Sequence, residues 1–334
     1  MESAQEVSMG ERFEVIRVLG HGSFGEVVLA RDRQTSQLVA IKRLIDLNVD
    51  ARERFKREAL HLYELLDNRH VVDLLEAHME AEPPYLVLEY CEGGSLDKLL
   101  NTRHRWTFVA QVMLHSLIAL YSIHAVKDGF HRDIKPHNLL LAQEPDGEWI
   151  VKVADFGYAR LAVHGGSMTY GAAGTRGYIA PEVIMGENYH AGADIYSLGI
   201  VAVELLTMKR DPAGLLDVDA PPAFLTLVRR MTSREPSQRP CVDEALGLLV
   251  DLLKSSPPGP APSGLPRPPL PPPPPAAGEK ASPSDEKSNF GTALLTGLGI
   301  GAAVLAVAAL LGGDKKTWDA NVRRYRDRNG RFTS

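Results

Sequence analysis

The sequence has little cysteine and no excess of positive charge. Only two cysteines, Cys91 and Cys241, occur among 334 residues, which argues against a disulfide scaffold and fits a reducing compartment. The net charge of −5 provides no whole-chain basic field of the kind that draws proteins to nucleic acid, so no nucleic-acid partner is expected. The first residues lack the basic and apolar stretches of a secretory signal, and none is expected.

Charge is also missing from one long segment, and this divides the chain. Residues 288–313 contain no Asp, Glu, Lys or Arg, and about 20 such residues at ~1.5 Å each cross ~30 Å of hydrocarbon. We therefore expect a single transmembrane helix there. The proline-rich segment 255–287 predicts a disordered, partly polyproline-II linker, and 314–334 is a basic C-terminal tail. A short N-terminal tail, 1–12, precedes the expected globular domain, 13–254.

Three glycines near the start of that domain have a spacing that suits phosphate binding. Gly20, Gly22 and Gly25 lie between the strand-like segments Phe13–Leu19 and Val27–Ala30. Without Cβ atoms, such a hairpin can close over a polyphosphate. Dinucleotide-binding folds share this spacing but continue into a helix, and an ordinary glycine-rich hairpin remains open at this point.

A lone lysine ends the next apolar strand, Leu38–Lys42. An edge or surface charge is the ordinary interpretation of such a residue. The functional interpretation is an ammonium group aimed at the α- and β-phosphates, which needs a carboxylate to hold it. Glu58, in the helical stretch Arg52–Asp67, is the candidate carboxylate, and Leu62 lies one turn further on the same face.

Three further motifs follow in order: His131–Asn138 (HRDIKPHN), Asp155–Gly157 (DFG) and Ala180–Glu182 (APE). With the glycines and Lys42, they make the chain resemble the eukaryotic-type serine/threonine protein kinases from about residue 13 to 254. The resemblance implies an α+β, bilobal fold with a small β-rich N-lobe and a larger helical C-lobe. In this chain the disordered linker and the transmembrane helix would follow.

The resemblance also implies ATP and Mg²⁺ as cofactors, a protein substrate, and a role for each motif residue. The phosphate-binding residues would be Gly20, Gly22, Gly25 and Lys42, with Glu58 bracing the lysine. The residues around the transferred group would be Asp133 as proton acceptor, Lys135 near the phosphoryl, and the metal ligands Asn138 and Asp155.

An adenine site is implied in the same way. Val27 and Ala40 would lie above the ring and Leu140 below it. The strand and hinge would be Leu86–Cys91, with Leu88 as gatekeeper and the backbones of Glu89 and Cys91 contacting the adenine edge. Plain core packing is the alternative for the apolar members.

Lys135 and Thr175 indicate the substrate class. The sequence Asp-x-Lys-Pro-x-Asn resembles that of serine/threonine kinases, and Thr175 is expected to contact Asp133 and Lys135. Asp194 completes the family pattern, and Arg239 is expected to pair with Glu182 in a structural role.

Two regions depart from the family. Residues 209–220 show no convincing helix, so the usual helix G region is expected to be trimmed. Arg132, which precedes Asp133, in this family usually implies a phosphate in the activation segment that raises activity, but Gly171 stands where many relatives carry the threonine. The candidate acceptors are Ser167, Thr169 and Tyr170.

The C-terminal part predicts location and partners. The expected form is tail-anchored, with the kinase domain cytosolic, at the endoplasmic reticulum or the mitochondrial outer membrane; a basic translocated end runs against the positive-inside tendency. Pro268–Pro275 resembles ligands of polyproline-reading domains, and Gly297 with Gly301 would allow a homodimer. The alternatives are a pseudokinase scaffold that recruits partners through proline, and a soluble kinase whose apolar tail folds back on it.

Overall fold

The computed structural model describes residues 12–21, 25–66, 68–126, 129–144, 147–156 and 175–255, and the backbone of two short strands further on. The first part of the described chain is a five-stranded antiparallel sheet with the order β1-β2-β3-β5-β4. Its strands are β1 Phe13–His21, β2 Gly25–Asp32, β3 Leu38–Leu44, β4 Leu74–His78 and β5 Tyr85–Glu89. All five contain the branched and apolar residues that favour strands, although most of β1 is exposed.

The middle strand, β3, places the lone lysine inside this sheet. Lys42 lies opposite Val27 of β2 and Leu86 of β5. Ile41, its neighbour, points to the other face and is fully buried. Because side chains alternate along a strand, Lys42 must point away from that apolar cluster, towards helix α1.

Helix α1 (Val49–Glu64) packs against the sheet along one stripe. Its side-chain cap is Asn48, whose Oδ1 accepts from the backbone N–H of Ala51 at 2.8 Å. The buried positions Phe55, Glu58, Ala59 and Leu62 follow the helical repeat, so the carboxylate of Glu58 is carried into the core face.

A smaller antiparallel sheet, β6-β7-β8, begins the second lobe. It consists of β6 Gly94–Ser95, β7 Leu139–Gln143 and β8 Trp149–Val153. Asn138 immediately precedes β7, and Asp155 follows β8 by two residues. Since β7 and β8 are paired antiparallel, with Leu139 opposite Val153, these two polar residues arrive at the same edge.

Helices make up the rest of the second lobe. They are α2 Trp106–Ala125, α3 Pro181–Ile184, α4 Ala191–Thr207, α5 Pro222–Met231 and α6 Val242–Lys254. Helix α4 is buried on nearly all sides, as expected of a helix that is apolar all round and lies at the centre of a lobe. The bilobal arrangement expected from the sequence, a sheet-rich first part and a helical second part, is therefore confirmed.

Among the described residues, helix α2 alone is long and apolar enough to cross a membrane. Two thirds of its most apolar window (67%) is buried, which is also the property of a core helix in a soluble lobe. The segment for which a transmembrane helix was predicted, 288–313, lies outside the described residues, as does the predicted linker from residue 256.

Two predictions about the second lobe can be compared with the structure. The pairing of Arg239 with Glu182 is confirmed: the guanidinium donates to both carboxylate oxygens at 2.6 and 2.8 Å. The expectation of no helix in 209–220 was wrong in one respect, because a 3-10 helix spans Pro212–Asp217. Asp211 caps it by accepting from Ala213 N–H, and Pro212 is suited to its first turn.

A short hairpin lies within the predicted C-terminal tail. Its strands are β9 Thr317–Asp319 and β10 Arg324–Arg326, paired antiparallel with Trp318 opposite Tyr325. The sequence had been interpreted there only as a basic tail, and the hairpin was not predicted.

Candidate active site

The amino group of Lys42 lies between two carboxylates. Its Nζ is 2.5 Å from Oε1 of Glu58 and 2.9 Å from Oδ1 of Asp155. Three elements meet here, because Lys42 is on β3, Glu58 on α1, and Asp155 follows β8. The side chain of Glu58 is almost fully buried, whereas that of Asp155 is 35% exposed and can be reached by a ligand.

The electrostatics of this group favour a charged lysine. Burial by itself lowers the pKa of Lys42, but the charges of Asp155 and Glu58 outweigh burial and leave that pKa raised. Burial raises the pKa of Glu58, and the nearby Asp155 charge adds to this, while Lys42 opposes both. The lysine therefore presents a fixed positive charge at neutral pH, which is what gripping a phosphate requires.

A second polar cluster surrounds Asp133. Its Oδ2 accepts from Nζ of Lys135 at 2.7 Å and from Nδ2 of Asn138 at 2.9 Å. The amide of Asn138 also donates to the backbone carbonyl of Asp133 at 2.8 Å. These contacts hold the carboxylate of Asp133 in one orientation beside a cation.

Burial raises the pKa of Asp133, although the charge and hydrogen bond of Lys135 lower it. A carboxylate with a raised pKa is a stronger proton acceptor than an ordinary one, provided that it remains ionised at the working pH. The arrangement suits Asp133 to take a proton from a hydroxyl group held beside it.

A buried carboxylate beneath the loop holds this cluster in place. Asp194 of α4 accepts the backbone N–H groups of His131 and Arg132 at 3.0 and 2.9 Å. It also accepts from His124 at 2.9 Å and from the hydroxyl of Tyr189 at 2.6 Å. The sequence placed Asp194 in the family pattern, but these two side-chain partners were not predicted.

The backbone of the site is unusual at two positions. Arg132 and Asp155 have φ of +67° and +65°, values that non-glycine residues rarely adopt. At Arg132 the two hydrogen bonds to Asp194 hold the loop through this turn. Such strain at residues beside a reactive group is typical of functional sites.

An aromatic contact links the two motifs. The Phe156 ring meets the His131 ring edge-on, with centroids 5.1 Å apart, and Nε2 of His131 lies 3.0 Å from the carbonyl of Ala154. Phe156 is buried in the same core cluster as Leu62 of α1. Packing thus connects helix α1, which carries Glu58, to the segment that carries Asp155.

The residues predicted for the adenine site also converge. Ala40 lies opposite Leu88 across β3 and β5. Leu88 and Leu140 pack against one small core cluster that contains Cys91. Burial raises the pKa of the Cys91 thiol well above its usual range, so the thiol is neutral. Val27, partly buried on β2, completes the apolar set.

The glycine-rich turn is described only in part. Around Gly20, no heavy atom of the described residues other than its chain neighbours lies within 4 Å of the place where a Cβ would lie. At Gly25 a Cβ would come 2.2 Å from the carbonyl oxygen of Arg43, and only glycine allows β2 to approach β3 this closely. Gly22 lies outside the described residues.

The activation segment is also described only in part. Thr175 begins a 3-10 helix, Thr175–Tyr178, but the position of its side chain, and hence its expected contact with Asp133 and Lys135, is not described. The candidate phosphate acceptors in 167–170 lie outside the described residues.

The residues present fit ATP and Mg²⁺. Carboxylate and amide oxygens, as Asp155 and Asn138 provide, are the hard ligands that magnesium prefers. The ammonium group of Lys42 supplies a donor for phosphate oxygens. Lys42, Asn138 and Asp155 thus carry the chemical groups that binding of phosphate and magnesium requires.

Comparison with known proteins decides the family. The model described as "Protein kinase domain" matches residues 13–248. The chain belongs to the protein kinase family. This kinase is 32% identical over 257 residues to serine/threonine-protein kinase Nek8 of Danio rerio, which covers 71% of the chain and 36% of that relative. It is 35% identical over 218 residues to CBL-interacting protein kinase 9 of Oryza sativa subsp. japonica, covering 63% and 45% respectively.

A third relative gives the same result. The human protein named cyclin-dependent kinase-like 4 is 31% identical over 213 residues, which covers 63% of this kinase and 55% of that relative. In all three cases the kinase spans only about a third to a half of the relative's length. The similarity thus concerns the catalytic domain.

Proposed function

We propose that this chain is a serine/threonine protein kinase, which transfers the γ-phosphate of ATP to hydroxyl groups of protein substrates. The observation that carries the proposal is the position of the Lys42 amino group, 2.5 Å from Glu58 and 2.9 Å from Asp155. A lysine so held is charged and pointed where the motif places a triphosphate. The kinase domain is assigned to residues 13–254, and the family match extends over 13–248.

Each residue then has a defined task. Lys42 binds phosphate oxygens, and Glu58 orients its amino group. Asp133 accepts the proton of the substrate hydroxyl at Oδ2, and Lys135, 2.7 Å from that oxygen, stabilises charge on the transferred group. Asn138 and Asp155 would hold magnesium, which when bound neutralises charge on the phosphate oxygens.

Rate enhancement in this scheme comes from positioning and electrostatics. No side chain has to form a bond to phosphorus, because a hydroxyl held near Asp133 can attack directly. The apolar set of Val27, Ala40 and Leu140 would bind the adenine ring, with Leu88 at its edge. Glu89 and Cys91 would contact the ring through their backbones.

The intact site argues against a pseudokinase. A scaffold without catalysis has no need for a charged lysine and a hydrogen-bonded Asp133 in the same cleft. The preference for serine or threonine rests on Lys135 in the catalytic loop and on Thr175, as in the serine/threonine group. Phosphorylation within 167–170 is proposed to raise activity, because Arg132 lies next to the catalytic aspartate.

Removal of the phosphate contact tests the proposed activity. Lys42→Met should reduce phosphate transfer from ATP to a generic basic protein by at least about 100-fold, because a transition-state contact is lost. Lys56→Met is the matched control. Lys56 lies on the exposed face of helix α1, and this variant should retain wild-type activity. Equal transfer by the Lys42→Met and wild-type proteins would overturn the proposal.

We further propose that residues 288–313 tether the kinase to a membrane as a single-pass segment, with the kinase domain in the cytosol. Support comes from its lack of charge and from ten Phe, Leu, Ile or Val side chains in 290–311, which favour insertion by about 3–6 kcal/mol. The endoplasmic reticulum and the mitochondrial outer membrane are the two candidate locations.

Extraction of the membrane fraction with alkaline carbonate tests whether residues 288–313 hold the protein in the membrane. The full chain should remain in a carbonate-resistant pellet, whereas a chain ending near Pro275 should be soluble and active. Charges placed at Ile300 and Val304 should release the protein, since each costs about 2.5–3.5 kcal/mol at the bilayer centre. Retention of the doubly charged protein in the pellet would refute the tether.

Two partner proposals rest on sequence alone. The prolines of 268–275 fit polyproline-reading domains, and Gly297 with Gly301 allow two membrane helices to approach as a homodimer. Pull-down of polyproline-reading domains by the chain with and without residues 268–275 tests the first proposal. Cross-linking of the wild-type chain and of a Gly297→Leu variant in vesicles tests the homodimer.

A further inference from the structure

An ion cluster centred on a buried lysine lies behind the end of β5, apart from the groups that act on phosphate. Lys152 of β8 reaches Glu89, the last residue of β5, with its Nζ 2.5 Å from Oε1. The same Nζ is 3.8 Å from Oδ2 of Asp73, which immediately precedes β4. The cluster therefore joins the sheet of the first lobe to that of the second.

Two hydrogen bonds from backbone N–H groups complete this cluster. The N–H of Asp73 donates to Oε1 of Glu89 at 2.7 Å, and the N–H of Glu89 donates to the carbonyl of Asp73 at 3.0 Å. The peptide nitrogen and the carboxylate of Glu89 are both fixed in this way. The Lys152 ammonium is thus linked, through the carboxylate of Glu89, to the backbone of Asp73 and Glu89.

Burial makes the cluster sensitive to the loss of its cation. Lys152 is only 4% exposed. Burial lowers its pKa, but the charges of Glu89 and Asp73 reverse this effect and keep the lysine protonated. Burial and the Asp73 charge raise the pKa of Glu89, and the charge and hydrogen bond of Lys152 oppose them. One buried cation thus serves two partly exposed carboxylates, and without it their charges would repel each other with only partial screening by solvent.

The cluster includes one end of the hinge, Leu86–Cys91, whose backbone is proposed to contact the adenine ring. Under the proposed function, the backbone of Glu89 contacts the adenine edge, and so does that of Cys91, two residues later. Both are held from behind: Glu89 by Lys152, and Cys91 by packing against Ile150 of the same strand, β8. Strand β8 therefore supports the hinge with one ionic and one apolar contact.

We propose that Lys152 is a positioning residue for the nucleotide: by holding the carboxylate of Glu89, it sets the hinge backbone at which the adenine ring binds. This inference rests on the proposed function, because it assumes that ATP is the ligand. A positioning role differs from a purely structural role in the property that changes when the residue is lost. Loss of Lys152 should weaken ATP binding selectively and leave the protein-substrate site and the chemical step unaltered.

The test compares two cation-removing variants of the full chain. Lys152→Met should raise KM for ATP about tenfold, while kcat and KM for the protein substrate stay within about twofold. Arg12→Met is the matched control, because Arg12 also serves two carboxylates, donating to Asp32 and Glu76 at 2.8 and 2.7 Å, but lies at the start of β1. It should lower thermal stability without changing KM for ATP.

A binding measurement gives a second readout that does not depend on turnover. ATP with magnesium should raise the unfolding temperature of wild-type and Arg12→Met proteins by the same amount, and that of Lys152→Met by less. If Lys152→Met does not fold, Lys152→Arg takes its place. The planar, bulkier guanidinium cannot occupy the same position, and KM for ATP should rise about threefold.

The outcomes separate the inference from the proposed function. If ATP stabilises the wild-type protein but no phosphate is transferred, the proposed function is refuted. In that case the rises in unfolding temperature that ATP causes in the wild-type and Lys152→Met proteins still decide whether Lys152 positions the nucleotide. An active wild type, with KM for ATP unchanged in the Lys152 variant, overturns the inference alone. Equal changes in KM for ATP and for protein, or the same change in Arg12→Met, would show a general structural effect and also overturn it.

Discussion

Asp194→Asn should destabilise the fold and slow catalysis together. The carboxylate of Asp194 is fully buried and accepts four hydrogen bonds, two from the backbone of His131 and Arg132 and two from the side chains of His124 and Tyr189. Asparagine has the same shape but only one acceptor oxygen. Whichever way its amide is turned, the NH₂ group faces one of the two backbone N–H groups.

The structure sets the size of the effect. A buried donor left unsatisfied costs about 1–3 kcal/mol, and the remaining hydrogen bonds lose the extra strength that a charged acceptor gives. We expect a loss of about 3–5 kcal/mol in the free energy of unfolding, a large part of the ~5–15 kcal/mol of a typical domain. Since Arg132 has φ of +67°, the released loop should relax, and kcat should fall at least about tenfold.

Urea denaturation at several pH values measures this contribution. Burial raises the pKa of Asp194, but the hydrogen bond and charge of His124, helped by Tyr189, leave it below the ordinary 3.8. A depressed folded-state pKa gives stability that is complete above pH 3.8 and is lost as the pH falls towards the folded value. The difference between wild type and Asp194→Asn should therefore be constant near neutrality and shrink below that pH. Asp219→Asn, at an exposed position, is the control. A difference between wild type and Asp194→Asn below about 0.5 kcal/mol would refute the reasoning.

Two further predictions concern packing. Arg239→Ala should destabilise the protein by about 3–5 kcal/mol in urea titrations, because the buried carboxylate of Glu182 loses both guanidinium hydrogen bonds and keeps only His190, 3.4 Å away. Arg239→Met with Glu182→Leu should recover most of that loss, and equal losses in the single and double variants would contradict this. Gly25→Ala should lower the unfolding temperature and raise KM for ATP, because its Cβ would lie 2.2 Å from the Arg43 carbonyl. Gly247→Ala, in α6, should instead stabilise by about 0.5–1 kcal/mol, because apart from the adjacent helix backbone no heavy atom of the described residues lies within 4 Å of the new Cβ. A loss of stability there would count against the steric argument.

The sequence predicted which residues meet at the site better than where elements begin and end. Lys42 and Glu58 followed from a lone lysine in an apolar strand and a carboxylate on an amphipathic helix, since both patterns depend on local periodicity. The helix predicted over 52–67 instead spans Val49–Glu64. It begins earlier because Asn48 caps it, and a side-chain cap adds a turn that hydrophobic periodicity does not reveal.

Contacts between distant segments were harder to predict. Lys152 is another lone lysine in an apolar strand, yet its partner Glu89 lies 63 residues earlier, and nothing local pairs the two. The bond from His124 to Asp194 depends on how α2 and α4 pack, which periodicity does not specify. The bond from Tyr189 depends on the turn that leads into α4. The 3-10 helix at Pro212–Asp217 was missed because a helix of six residues has too few turns to show a periodic pattern.

The most direct test of the central claim is phosphoamino-acid analysis of a labelled product. Wild-type protein and Asp155→Asn, which removes a proposed magnesium ligand, would each be incubated with γ-labelled ATP, magnesium and a generic basic protein. We predict phosphoserine or phosphothreonine with the wild type and a loss of at least about 100-fold in the variant. Label mainly on tyrosine would contradict the substrate class, and equal labelling by the Asp155→Asn protein would contradict the proposed kinase mechanism.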